Sequence, residues 1–338
     1  MVSLIEMPEL VMENIIGFSD FKDVLTLRQV CRDFRNFIDD VDDSKLPDSK
    51  FEGISFKILD ETTIGLSYED EDDSYSTGYC GMNNFRCFSQ NVTDLGNVNI
   101  VDVAIRDLEW LLKFQKSVLE EFDVSFDEYQ LRNDSPFHSL PIKVRNMFEK
   151  LNRKIKTRKF TLKTYDESQI IAFLPFIDPD ALKSLEFHSL DYDGEVEIEI
   201  DEIAKTEQWK NSEELDCEFR VLNLKVEDIC HFSSINFQTN TISAKYLDSM
   251  KKVFIKSSKF ELLFLGWESF NENEELTNLW GPAFSTETAK LHWYFRMKDS
   301  EERILRIIID NTGHLLWFDV CKMESIPNGA IVQDYNEK

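Results

Sequence analysis

The apolar positions of the first forty residues recur at helical spacing, in three successive stripes. Val11, Ile15 and Phe18 fall on one face at i, i+4 and i+7, with Met12 and Ile16 on the strip beside it. Pro8 stands where a helix tolerates proline, in the first turn. Asp20 is placed to cap a second helix carrying Val24, Leu25 and Leu27, and Val30, Phe34 and Ile38 form a third stripe. A unit of roughly 40 residues cannot bury this much apolar surface by itself and ordinarily needs a partner. The segment therefore reads as a docking module. The plainer alternative is a helical cap packed on the rest of the protein.

Residues 39–50 are acidic and contain Pro47, so a linker or a helix end is expected there, and with it the first boundary. Ile54, Phe56 and Ile58, then Ile64, Leu66 and Tyr68, alternate at period two and predict a pair of strands. The run Glu69–Asp73 reads as a solvated loop, since it lacks the glycine and spaced ligands of a calcium loop. Two long helices are expected next. One carries Val101, Ile105, Leu108, Leu112, Leu119 and Phe122; the other carries Phe137, Leu140, Val144, Met147, Leu151 and Ile155, with Ser135-Pro136 as its start.

From residue 159 short period-two runs take over, starting at Phe160, Leu185, Leu215, Ile235 and Phe260. Helical segments at Ser168–Ile177 and Val226–Phe232 lie between them. A strand and a helix every ~25 residues is the period of a leucine-rich-repeat-like α/β solenoid. The asparagine ladder of such repeats is missing, so a non-repetitive α/β sheet is the competing reading. The chain closes on three β-branched and aromatic runs, Leu291–Met297, Arg303–Ile309 and Leu315–Val320, with Asp310-Asn311-Thr312-Gly313 as a hairpin turn. Residues 326–338 are expected to fray. The fold class is thus α+β: three N-terminal helices, then a curved α/β repeat-like region ending in antiparallel strands.

Composition narrows the function classes. Among 338 residues, 64 are acidic and 38 basic, a net charge of −26 that repels phosphate backbones and argues against direct nucleic-acid binding. No apolar run approaches ~18 residues, and no basic segment followed by an apolar one opens the chain, so neither a membrane span nor a secretion signal is expected. Six scattered cysteines without a framework then read as reduced thiols, and the expected location is cytoplasmic or nuclear. One stretch opposes the average: Lys143–Lys163 holds nine basic residues against Glu149 alone. It reads first as a match to the protein's own acidic face, and second as a contact for an acidic partner.

Catalytic constellations are not found in the sequence. The five histidines follow no metal motif, and Cys230-His231 has no C-x-x-C to complete a four-ligand zinc site. Phosphate-binding loops, dinucleotide-binding glycines and nucleophile elbows do not occur. The expectation is a non-enzyme with no cofactor and no metal.

The N-terminal residues resemble an F-box, the adaptor-binding motif of cullin-based ubiquitin ligase receptors. The matching pieces are Met7-Pro8, Val11/Ile15/Ile16, Asp23-Val24-Leu25, Val30-Cys31 and Phe34, in order and spacing over residues 3–39. Met7 replaces the commoner leucine with a side chain of similar volume. Downstream, Thr206-Glu207-Gln208-Trp209-Lys210, a Phe-rich helical stretch, Phe260-Glu261-Leu262 and Trp293-Tyr294-Phe295 with a closing hairpin are similar to the FTH domain of a nematode F-box receptor family, over roughly 135–325.

These resemblances imply an F-box at 1–42, a strand pair and helical connecting region at 51–134, and an FTH-like domain at 135–325. They imply a substrate-recognition subunit of a cullin-based ubiquitin ligase, with catalysis left to other subunits. Met7, Pro8, Val11, Ile15, Ile16, Leu25, Val30 and Phe34 would enter the groove of a Skp1-like adaptor, and Arg28, Arg32 and Arg35 would steer the encounter. An unknown target protein would sit on the FTH-like domain. The rival function is a non-degradative tether, for example in translational control.

Overall fold

The computed structural model describes residues 7–88, 91–127, 135–190, 196–285, 290–298 and 300–334. The chain divides into two compact units. The first runs to Thr161 and includes Pro175–Ala181; the second holds Leu162–Leu174 and the chain from Leu182.

The first unit begins with three helices, α1 (Glu9–Phe18), α2 (Phe21–Val30) and α3 (Arg32–Asp40). Asp20 caps α2, its carboxylate accepting from the Asp23 amide at 2.7 Å. Met12, Ile16, Phe21, Val24, Phe34 and Ile38 are buried and form the core contribution of these helices. Beyond them lies a sheet of β1 (Gly53–Asp60), β2 (Thr63–Glu69), β3 (Ser74–Cys80), β4 (Phe85–Phe88), β5 (Asn91–Asp94) and, past the helix α4 (Ile100–Phe114), β6 (Leu119–Ser125). The strands from β1 to β5 form an antiparallel meander, while β6 pairs parallel to β1 across the α4 crossover. The predicted strand pair appears as β1 and β2, with Ile54, Phe56 and Ile58 buried in register with Tyr68, Leu66 and Ile64.

Two expectations change here. Leu119 and Phe122 do not continue the α4 stripe; the helix stops at Phe114 and both residues belong to β6, Phe122 sitting opposite Ile54. The stretch 39–50 is not a free linker. Val41, Leu46 and Phe51 are buried, the Asp48 carboxylate accepts from the Lys116 and Ser117 amides at 2.9 and 3.2 Å, and Ser49 donates to the Gln115 amide oxygen at 2.6 Å. The acidic run Asp70–Asp73 is a hairpin turn closed by its own Asp70 carboxylate and bridged by Lys22 of α2, 3.0 Å from Asp73.

The helix α5 (Leu140–Leu151) presents Leu140, Val144, Met147 and Leu151 to the interior and is followed by β7 (Thr157–Thr164). Phe137 and Ile155, expected on this helix, lie outside it: Phe137 is in the turn before it, and Ile155, past its end, forms a parallel bridge with Ile177. Much of the basic stretch is neutralised within its own unit. Lys143 meets Asp102 at 2.7 Å, Arg145 meets Glu149 at 3.2 Å and Arg158 meets Glu120 at 3.0 Å. Arg153 donates to the Leu112 carbonyl, and burial lowers its basicity.

The second unit contains α6 (Glu167–Phe173), β8 (Ser184–Ser189), β9 (Glu197–Ile198), α7 (Glu207–Asn211), β10 (Glu214–Val221), α8 (Val226–Ile229), β11 (Ser234–Thr241), α9 (Ala244–Phe254), β12 (Leu262–Ser269), α10 (Asn273–Trp280), β13 (Phe284–Ser285), β14 (Leu291–Arg296), β15 (Arg303–Asp310), β16 (Leu315–Lys322) and β17 (Val332–Gln333). Strands β8, β10, β11 and β12 run parallel in that order. Strand β16 then joins β12 antiparallel, and β15 and β14 extend the sheet. The sheet is therefore mixed. Along β10 and β11 the odd-numbered residues 215–221 and 235–239 are buried and the even-numbered ones stay half-buried or exposed, so one face belongs to the core and the other does not. The predicted turn at 310–313 holds: the Asp310 carboxylate accepts from the Thr312 and Gly313 amides at 3.0 Å each. The tail, expected to fray, adds β17 parallel to β14; residues 335–338 lie outside the described residues.

Candidate interaction surfaces

The ten residues of α1 are apolar on two sides, and only one side is used by the protein's own core. Met12 and Ile16 are 2% and 0% exposed. On the other side Phe18 is 91% exposed, Leu10 68% and Val11 40%. Successive residues advance by about 100° around a helix, which groups Leu10, Val11, Asn14 and Phe18 opposite the buried pair. Met7, 39% exposed, precedes the helix, and Pro8 accepts its first hydrogen bonds from Val11 and Met12. Val30, at the end of α2, is 63% exposed. Large apolar side chains in such numbers on so short a segment exceed ordinary surface scatter.

The eight residues expected to face an adaptor separate accordingly. Met7, Pro8, Val11 and Val30 are exposed, and Ile15 and Leu25 are half-buried. Ile16 and Phe34 are buried within the first unit. Leu10 and Phe18 were not among the eight. The signal for Phe18 was available: it ends the Val11/Ile15 stripe. Arg28 is not free to steer a partner. It forms a two-pronged ion pair with Asp39 at 2.7 and 3.0 Å and lies over the Trp110 ring at 5.2 Å. Arg32 and Arg35 are exposed on α3.

The helices are fixed to the sheet of their unit by Phe21. Its ring meets Phe51, Tyr68, Trp110 and Phe114 with centroids 5.0, 6.2, 5.4 and 5.2 Å away. Each such aromatic contact adds about 0.5–1.5 kcal/mol beyond area burial.

In the second unit, the non-core face of the parallel strands grades from charged to aromatic. Glu186 of β8, Asp216 of β10, Asn236 of β11, Phe264 of β12 and Trp317 of β16 lie side by side in one register row. Asn236 donates to Asp216 at 2.9 Å, and Phe264 meets Trp317 edge-on at 5.5 Å. Lys290 lies 4.9 Å over the Trp317 ring and 3.1 Å from Asp310. Arg306 grips Asp319, and Arg220 pairs with Glu268.

His188 stands among the carboxylates of this face. Its Nε2 is 3.6 Å from Glu186 and its Nδ1 is 2.9 Å from Glu218. Hydrogen bonding to Glu186, and then to Glu218, raises the imidazole from its ordinary 6.5 to about 9. Burial, followed by the Glu186 charge, pushes Asp216 upward as well. A folded-state value above the unfolded one gives stability that is complete below pH 6.5 and lost as pH rises through about 9. We expect the His188 ring resonances to titrate near 9, and the decline in stability between pH 7 and 9 to flatten in His188→Gln. A midpoint near 6.5 would refute the pairing.

The Trp209 box is structural. Thr206 caps α7, and the buried Trp209 indole donates to the Asp228 carbonyl at 2.7 Å while meeting Phe232 edge-on at 5.2 Å. His231 returns to the Trp209 carbonyl at 2.8 Å, and the Cys230 thiol donates to the Glu227 carbonyl at 3.5 Å. The pair is thus held by backbone groups. No cluster of three or more metal-ligating side chains occurs among the described residues. Nor is any helix among them long and apolar enough to cross a membrane.

Comparison with protein-family models matches an F-box domain over residues 4–46 and an FTH domain over residues 142–282. Comparisons with curated proteins and with solved structures give no match. An F-box followed by an FTH domain is the architecture of receptor-type F-box proteins rather than of catalytic ones.

Proposed function

A chain that joins an F-box to an FTH domain is an F-box/FTH family protein, and from that premise we propose that it is the substrate-recognition subunit of a cullin-based ubiquitin ligase. Its F-box docks in the apolar groove of a Skp1-like adaptor, which links it to the cullin. Its FTH region holds a target protein. Ubiquitin transfer is then a matter of proximity: the complex holds a target lysine near the charged conjugating enzyme, and no residue of this chain takes part in the chemistry.

The observation that carries the reading is the unused side of α1, where Phe18 and Leu10 stand in water although the core beneath is filled. Fully burying a side chain of this kind against a partner contributes about 1.5–3 kcal/mol. The proposed contact set is Met7, Pro8, Leu10, Val11, Ile15, Phe18, Leu25 and Val30, with Arg32 and Arg35 steering association. The non-core face of strands β8 to β16 is the proposed target surface, and its parallel strands support the leucine-rich-repeat-like reading of residues 160–265.

Co-expression with a Skp1-like adaptor tests the first half. A one-to-one complex that survives gel filtration is expected; separate elution of the two chains would overturn the proposal. A complex that forms while no captured protein changes lifetime would favour the tether reading over the ligase.

A further inference from the structure

In the first unit a cavity of ≈ 310 Å³ opens between α2, α3, α4 and strands β2 to β4. Its apolar walls include Phe21, Tyr68, Phe88 and Trp110. Its polar lining is unexpected for a protein of net charge −26: Arg28, Arg35, Arg86 and Arg106 against the single carboxylate of Asp107.

That carboxylate is already occupied. The Tyr79 hydroxyl donates to Asp107 at 2.8 Å and Arg86 lies 3.0 Å from the same oxygen. Arg28 is committed to Asp39, but Arg106 reaches Asp107 only at 4.0 Å and its side chain is 67% exposed. Arg35 is exposed and has no ion-pair partner among the described residues. The buried Nε of Arg86 has no hydrogen-bond acceptor. A buried N–H without an acceptor is destabilising, the more so when charged, and that cost is recovered when an acceptor arrives. Guanidiniums bind planar oxyanions in two-pronged fashion, and aromatic walls favour a flat apolar body. A volume of this size suits a small molecule.

We propose that this cavity binds a small planar organic anion, an aryl phosphate or aryl carboxylate, with its ring among the aromatic walls and its oxyanion among Arg35, Arg86 and Arg106. The cavity floor is shared by the F-box helices and the sheet, so an occupant fastens the two together. The inference does not depend on the receptor reading, although Arg35 serves in both, and it uses the full chain without any adaptor.

Calorimetric titration with 1-naphthyl phosphate, 1-naphthoate, 1-naphthol and inorganic phosphate tests it. At least one naphthyl anion should bind ~10-fold or more tightly than both naphthol and phosphate, and which of the two binds tighter identifies the head group. Arg35→Glu/Arg106→Glu should weaken that binding ~10- to 100-fold. Both side chains are exposed, so an unchanged melting temperature of this variant establishes that the fold is kept. Should that temperature fall, the single Arg106→Gln variant carries the test, with a several-fold loss expected. No binding of either anion, equal binding of naphthol, or indifference to the charge changes would each overturn the proposal.

Discussion

Val11→Asp/Phe18→Asp should leave the chain folded and abolish its capture of a Skp1-like adaptor. Both side chains project from the unused side of α1, 40% and 91% exposed, so carboxylates there cost the free protein little. In the proposed complex the same carboxylates would be buried in an apolar groove without partners. Interface positions of this kind contribute 2 kcal/mol or more each, and an unpaired buried charge adds several more. A loss of affinity of at least ~100-fold is expected, about 3 kcal/mol. Ile16→Asp is the informative contrast. Its residue is fully buried, so that variant should lose the helices themselves, visible as reduced helical circular dichroism. Undiminished adaptor affinity in a well-folded Val11→Asp/Phe18→Asp variant would mean that α1 does not face the adaptor.

The second large effect is on stability. Trp209 is 2% exposed, joins α7 to α8 through its indole hydrogen bond, and packs on Phe232. Trp209→Ala removes the ring and leaves a void, a change that costs about 3–5 kcal/mol. It also strands the Asp228 carbonyl. Trp209→Phe restores part of the packing but not the donor, and should cost markedly less. Urea denaturation followed by far-ultraviolet dichroism separates the two variants. A transition for Trp209→Ala within about 1 kcal/mol of the wild type would show that the indole is not a structural latch. Because the chain has two compact units, the loss should appear in the transition of the second unit and leave the first unchanged.

The sequence alone carried the helical pattern at the N-terminus because short amphipathic helices write their period plainly. It also carried the two adjacent stripes of α1, Val11/Ile15/Phe18 and Met12/Ile16. Which stripe faces inward is not legible, since both are apolar; the fold buries Met12 and Ile16 and leaves Val11 and Phe18 exposed. Leu119 and Phe122 were read as helix because a spacing of three fits a helical face; the ladder with β1, distant in sequence, decides otherwise. The clamp on residues 41–51 was invisible for a related reason. Its partners, Gln115 to Ser117, lie more than sixty residues away. Side-chain alternation placed the strands around 160–265 well, but the antiparallel return of β16 onto β12 has no local signature.

Phe21 sets a limit on transplantation. Its ring is shared with Phe51, Tyr68, Trp110 and Phe114, all of them beyond the F-box residues proper. A chimera spliced near residue 42 would carry the three helices away from the floor they stand on and leave that ring in water. Here the F-box is a face of a larger body rather than a detachable plug, so swaps between proteins of this kind should be cut after β6 and α5.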